Sequence, residues 1–233
     1  MTSFVLTGTL VPNASPSVHN NVQQRRDEYV RAVRHYLNHG QVVFLENSDY
    51  PVLEDSFFTT TPGLRTIQYP KSREAIRGKG YQEFEMLDAF VSHHLQEDTF
   101  IKITGRYLFK NIGEIAPRMG RQLGNNGMVI DLLFPKQMAI TSLFAASKHF
   151  YHRHMMNAYL DMDDRHVRWA EYVLYARIKA SRDCTFPQPT PILQAVAGST
   201  GKTINMRSKG FRPWMKNMER RLFAAAGIRE LLF

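Results

Sequence analysis

Cysteine is almost absent. Cys184 is the only one in 233 residues, so neither an intrachain disulfide nor a cysteine-based zinc site can form, and a reducing compartment fits. No run of 18 apolar residues occurs, which excludes an ordinary transmembrane helix. The first residues, Met1-Thr2-Ser3-Phe4-Val5-Leu6-Thr7-Gly8, carry no basic stretch and read as a buried strand rather than a signal peptide. Repeats, low-complexity tracts and linkers are missing too, so one α/β domain over residues 1–233 is expected. Acidic residues are scarce, with 21 Asp and Glu against 30 Lys and Arg, a net charge of +9. The last 32 residues hold eight Lys or Arg against Glu219 and Glu230. Such a surface attracts nucleic acid, anionic lipid or phosphorylated substrates, and charge alone does not choose among them.

Two phosphate and metal signatures are also lacking. Gly201-Lys202-Thr203 would need glycine at position 196 to be a P-loop, and that residue is Val196. The sequence Asp161-Met162-Asp163 spells Asp-x-Asp, often associated with metal-bound sugar nucleotides. It falls between two expected helices, not after an apolar strand, and reads equally well as a helix cap.

What is present alternates strand and helix. Phe4, Val5 and Leu6 form a strand that leaves through Gly8-Thr9-Leu10-Val11-Pro12. Spacings of three and four between Tyr29, Val30, Val33, Tyr36 and Leu37 predict a helix over 23–37, followed by a buried strand over 41–45. This is the opening of a Rossmann-like, mostly parallel sheet flanked by helices, whose ligands bind beyond the C-terminal strand ends. Further strands are expected at 65–69, 99–103, 128–133, 140–144 and 192–196, and helices at 81–94, 148–160 and 167–180. Residues 202–233 form a basic tail, helical from about 214, packed on the domain or lying on anionic lipid.

Several polar groups fall at expected strand ends. Glu46-Asn47-Ser48-Asp49 ends the second strand, in a pattern that suits a base or ribose, or else a helix cap. Arg77-Gly78-Lys79-Gly80 offers glycines, a cation and a helix start to an anion, with Glu83 and Glu85 following; a solvated basic loop is the plainer reading. Lys102-Ile103-Thr104-Gly105-Arg106-Tyr107 places two cations where a diphosphate or sugar carboxylate would lie. Asp131 stands inside an apolar strand, suited to a sugar hydroxyl, a metal or a buried ion pair. Glu171 lies in an aromatic helix, where burial would raise its pKa toward that of a general base. Gly198-Ser199-Thr200-Gly201-Lys202 is a small hydroxyl loop that is either a phosphate contact or a turn.

The order Leu6-Thr7-Gly8-Thr9, Arg26 with Tyr29, Phe44-Leu45-Glu46-Asn47-Ser48, Gly78-Lys79-Gly80-Tyr81 with Glu83, Phe100 through Tyr107 with Asn111, Glu171 with Leu174-Tyr175, and Ala197 to Lys202 resembles small bacterial glycosyltransferase-like proteins found with surface-polysaccharide (capsule or lipopolysaccharide) genes. The resemblance implies a GT-A-like fold with a nucleotide-sugar co-substrate, no tightly bound cofactor, and Mn or Mg as an optional ion. It also implies a glycan or lipid-diphosphate acceptor, and work in the cytoplasm or on the inner membrane face through the basic tail. Glu46, Asn47 and Ser48 would lie near the nucleotide, and Lys79, Glu83, Lys102, Thr104, Arg106 and Tyr107 would line the donor site. Thr9, Gly80, Gly105, Asp131, Ser199 and Lys202 are further donor-binding candidates. Lys102 and Arg106 would hold the leaving phosphate, and Glu83 or Glu171 would take the acceptor proton. Two rivals remain: a nucleic-acid binder, which the carboxylates at the same strand ends disfavour, and a nucleotide-dependent phospho- or nucleotidyltransferase.

Overall fold

The computed structural model describes residues 3–12, 21–124, 127–179, 181, 183–196 and 203–205. In chain order the strands and α-helices are β1 (Ser3–Gly8), α1 (Val22–Leu37), β2 (Val42–Glu46), α2 (Ser56–Thr60), β3 (Leu64–Gln68), α3 (Lys79–His93), β4 (Thr99–Thr104), β5 (Leu108–Phe109), α4 (Ile112–Leu123), β6 (Met128–Leu133), β7 (Met138–Ser147), α5 (Lys148–Phe150), α6 (Ala170–Ile178), β8 (Cys184–Thr185), β9 (Leu193–Val196) and β10 (Thr203–Asn205).

Seven strands form one sheet in the order β3-β2-β1-β4-β7-β6-β8. The first four are mutually parallel; β7 runs antiparallel to both β4 and β6. A small sheet, β10-β9-β5, stands apart from it. Period-two alternation divides the apolar residues between two faces. Phe4, Leu6, Val42, Phe44, Ile101 and Ile103 pack with α1 and α4, whereas Val5, Val43, Leu45 and Phe100 pack with α3 and α6. The sheet is therefore covered on both sides, as parallel strands require. Successive connections step from β1 to β2 to β3 and then return to β4 on the other side of β1. That reversal is a topological switch point, and it lies at the C-terminal ends of β1 and β4.

Three sequence expectations are corrected. The helix expected over 148–160 breaks after α5 into a π-turn (Tyr151–Met155), a left-handed Asn157 (φ 62°) and a 3₁₀ turn (Ala158–Asp161). Asp88 on α3 is the cause, because its two oxygens accept from the Tyr151 hydroxyl and the Asn157 amide, each at 2.6 Å. The helix α4 escaped the sequence reading because Pro117 lies inside it. The strand expected over 140–144 runs instead through Met138–Ser147. The expected C-terminal helix lies outside the described residues; of the basic segment only Thr203–Asn205 is described, and it is a strand paired with β9.

Candidate functional site

The switch point is built by close backbone approach. The Gly105 amide donates to the Thr7 carbonyl at 2.9 Å, and a Cβ on Gly105 would stand 2.5 Å from that oxygen. Gly8 is equally constrained, since a Cβ there would enter the Phe44 ring at 2.6 Å. These glycines let the chain turn out of β1 and β4 side by side.

The exit from β1 is then fixed by buried polar groups. Glu46, fully buried, accepts from the Leu10 amide at 2.9 Å, the Ser48 amide at 2.8 Å and the Ser48 hydroxyl. Burial raises its pKa, and these donors partly offset that. Ser48 Oγ in turn accepts from the Val11 amide at 3.0 Å. The Thr9 hydroxyl donates to Asn47 Oδ1 at 2.7 Å, and Asn47 donates to the Gln82 carbonyl on α3 at 3.2 Å. Glu46, Asn47 and Ser48 thus tie the β1 exit to β2 and α3. Glu46, expected near the nucleotide, has both carboxylate oxygens hydrogen-bonded inside the fold.

Arg25, which the sequence reading did not single out, donates to the carbonyls of Leu10 (3.0 Å) and Thr9. The Tyr29 hydroxyl accepts from the Thr9 amide at 2.9 Å, and Arg106 lies 5.9 Å over the Tyr29 ring while pairing with Glu28 at 2.7 Å. Burial lowers the Arg25 pKa, with Arg106 adding to the effect. The Lys79 ammonium is lowered by desolvation first and by Arg25 and Arg106 next. Three cations therefore lie within electrostatic reach of one another. Lys79 is the exposed one and forms no ion pair among the described residues.

The carboxylates gather around Lys102 of β4. Lys102 is fully buried, and its ammonium meets Glu83 Oε1 at 2.6 Å, the Thr141 carbonyl at 2.8 Å and Thr104 Oγ1 at 3.1 Å. Its Nζ lies 5.7 Å from the Phe84 ring centroid and 5.9 Å from that of Phe144. Lys102, expected to hold a leaving phosphate, is thus buried and paired with Glu83. The same Oε1 accepts from the hydroxyls of Thr7 at 2.5 Å and Thr104 at 3.3 Å. Glu83 thus has one oxygen anchored by three donors, and its side chain is 22% exposed. Glu171, at the start of α6, is half-buried; desolvation raises its pKa and the charge of Glu83 adds to the rise. Tyr107 is raised likewise, by burial and then by Glu83.

The start of α3 differs from expectation. Gly78 has φ 113°, and a Cβ there would lie 2.1 Å from the Asp164 carboxylate, which accepts from the Lys79 amide at 3.2 Å. Asp164 therefore occupies the helix start that the sequence offered to a phosphate. Gly80 serves packing: a Cβ would meet Ala170 Cβ at 2.9 Å, so α3 and α6 touch here and hold Glu83 near Glu171. Asp163 binds Arg165 through both Nε (2.9 Å) and Nη2 (2.6 Å), and its own amide and carbonyl bond Arg168. The Asp161-Met162-Asp163 segment is thus a pinned turn. Asp131 sits at a bulge of β6, two strands away from β4, about 10 Å by strand spacing. Ser199 and Lys202 lie outside the described residues.

Family models yield no match to this chain, and curated protein sequences yield none either. Solved structures do. The galactosyltransferase LgtC, in complex with donor and acceptor sugar analogues, superposes with TM-score 0.53 at 8% identity, over 79% of this chain and 73% of that one. This is the GT-A glycosyltransferase fold. GalNAc-T7 with UDP, GalNAc and Mn2+ superposes with TM-score 0.51 at 12% identity, over 95% of this chain and 48% of that one. A Bacillus anthracis protein described as a glucose-1-phosphate thymidylyltransferase, complexed with sucrose, gives 0.53 at 10% identity, over 85% of this chain and 90% of that one.

Among the described residues no three His, Cys, Asp or Glu side chains converge to hold an ion. The turn after β4 carries Thr104-Gly105-Arg106, and the one Asp-x-Asp of the chain is committed to Arg165.

Proposed function

We propose that this protein is a glycosyltransferase that moves a sugar from a nucleotide-sugar to a hydroxyl of a glycan or lipid-linked acceptor. The carrying observation is the grouping of charge at the switch point: Lys79, Arg25 and Arg106 lie within electrostatic reach of one another, and so do Glu83 and Glu171. Cations suit a departing diphosphate, and carboxylates suit sugar hydroxyls. A nucleic-acid groove would gain nothing from the second group. The GT-A fold supports the same reading.

In this reaction the acceptor oxygen attacks the anomeric carbon and its proton passes to Glu171. Burial gives Glu171 the raised basicity that a general base needs. The bond between anomeric carbon and phosphate oxygen breaks, and the diphosphate leaves with the electron pair. Lys79, seconded by Arg106, holds that charge. Glu83, anchored by Lys102, Thr7 and Thr104, accepts from hydroxyls of the sugar and orients it. Donor binding rests on these cations.

The test is a panel of UDP-, GDP-, CMP-, ADP- and dTDP-sugars, read by nucleotide release with and without glycan acceptors. Release from one donor class, cut at least ~100-fold by Glu171→Gln, is the expected result. No release from any donor contradicts the proposal. Pyrophosphate formed from a nucleoside triphosphate and a sugar phosphate would instead assign the chain to nucleotidyl transfer.

A further inference from the structure

The helix α3 lacks a cap of its own. Its N-cap is Gly78, and its first turn holds no acidic side chain. The carboxylate comes from 85 positions along the chain: Asp164 Oδ2 accepts from the Lys79 amide at 3.2 Å. A Cβ on Gly78 would stand 2.1 Å from Asp164 Oδ2, 2.2 Å from its Cγ and 2.7 Å from its Cβ. Asp164 thus fills the space that glycine leaves open, and it satisfies one of the free amides at the helix start.

Asp164 is itself held in place from the α6 side. It opens the 3₁₀ turn Asp164–His166, which the paired Asp163–Arg168 backbone bonds of 2.9 and 3.0 Å close. The neighbouring carboxylate, Asp163, is committed to Arg165 through a fork of 2.9 and 2.6 Å. Asp164 is exposed and forms no ion pair among the described residues. At the end of the same segment Ala170 begins α6 and meets Gly80. The start of α3 is therefore gripped at consecutive residues, capped at Gly78 and Lys79 and packed at Gly80.

We infer that Asp164 is a positioning residue for Glu171: it caps α3 from the α6 side and brings an unpaired negative charge within reach of the Glu171 carboxyl. Its part in transfer rests on the reading of Glu171 as the base; the cap and the charge coupling do not. Four groups act on Glu171 or lie near it. Desolvation raises its pKa first, Glu83 of α3 and Asp164 add to the rise, and Lys102 of β4 opposes it. Tyr107, after β4, lies within electrostatic reach as well. The charge of Glu83 is offset by Lys102 at 2.6 Å, whereas no ion pair offsets that of Asp164. Asp164 is therefore the acidic neighbour whose removal acts on Glu171 without exposing a buried cation.

The test separates cap from charge in the full chain. Asp164→Asn keeps an acceptor for the Lys79 amide and removes the charge; Asp164→Ala removes both. Carboxyl titration by carbon-13 NMR in glutamate-labelled protein, with the Glu171 signal assigned through Glu171→Gln, needs no substrate. In Asp164→Asn the Glu171 titration should move to lower pH, because a negative neighbour no longer disfavours its ionised form, and added salt should shrink the difference from the unaltered protein. Deuterium exchange of the Lys79 amide should quicken at least ~10-fold in Asp164→Ala and stay nearly unchanged in Asp164→Asn. In donor assays the acid limb of kcat should follow Glu171 to lower pH in Asp164→Asn, with the donor KM unchanged. A Glu171 titration that ignores Asp164→Asn, or Lys79 exchange that ignores Asp164→Ala, would overturn the inference. Should Asp164→Ala fail to fold, the Asp164→Asn titration still decides it. Turnover of no donor would instead contradict the transferase reading, while the two NMR results would still decide the coupling of Asp164 to Glu171.

Discussion

Lys102 and Glu83 form an ion pair 2.6 Å long in which the cation is fully buried and the carboxylate is not. The two halves of the pair are therefore unequal. Glu83→Gln strands a buried charged lysine beside Phe84 and Phe144, which should cost about 3–5 kcal/mol in chemical denaturation. Lys102→Met leaves a carboxylate that keeps Thr7, Thr104 and access to water, and it should cost clearly less while still impairing transfer. Equal losses for the two variants would contradict the assignment of Lys102 as a positioning residue.

Gly80→Ala separates stability from activity. Alanine gains about 1 kcal/mol of helix propensity over glycine, while the 2.9 Å approach to Ala170 Cβ costs a comparable amount in overpacking. Thermal stability should change little. Transfer should fall ~10-fold or more, because the shift moves Glu83 away from Glu171. Gly78→Ala has no such compensation, with φ 113° and a Cβ directed into Asp164, and should lose about 2–4 kcal/mol.

Asp88 makes stability depend on pH in a specific direction. Burial pushes its carboxyl from 3.8 up to about 6, against the Tyr151 and Asn157 donors that lower it. The folded state therefore binds the proton more tightly than the unfolded chain. The stabilising contribution is full below pH 3.8 and lost as pH rises through about 6, an interval that corresponds to about 3 kcal/mol. A titration of stability between pH 4 and 7 should show this fall, and Asp88→Asn should remove it.

How much of this was legible in sequence follows from the range of the interactions. The opening strand–helix–strand, the parallel sheet and the polar strand ends were readable because period and composition report local structure. The role of Gly80 was not, since a glycine before a helix looks the same whether it admits a phosphate or Ala170, 90 residues away. Lys102 alternated with apolar neighbours as a strand cation should, and only the packing of α3 shows that Glu83 captures it. Arg25 gave no signal, because its partners are the backbone carbonyls of Thr9 and Leu10.

Lys79 should dominate diphosphate recognition. Desolvation, then Arg25 and Arg106, lower its pKa and Asp164 opposes them, so a bound diphosphate would relieve the repulsion among the three cations. Lys79→Ala should weaken nucleoside diphosphate affinity ~10-fold or more, and affinity of the unaltered protein should fall at alkaline pH as the ammonium deprotonates.

Isothermal titration of UDP, GDP, CMP, ADP and dTDP, each with EDTA and with manganese, tests the central claim most directly. The account predicts that one nucleotide class binds, that EDTA leaves the affinity within about threefold, and that Lys79→Ala abolishes most of it. Absence of binding by every nucleotide, or binding indifferent to Lys79, would contradict it.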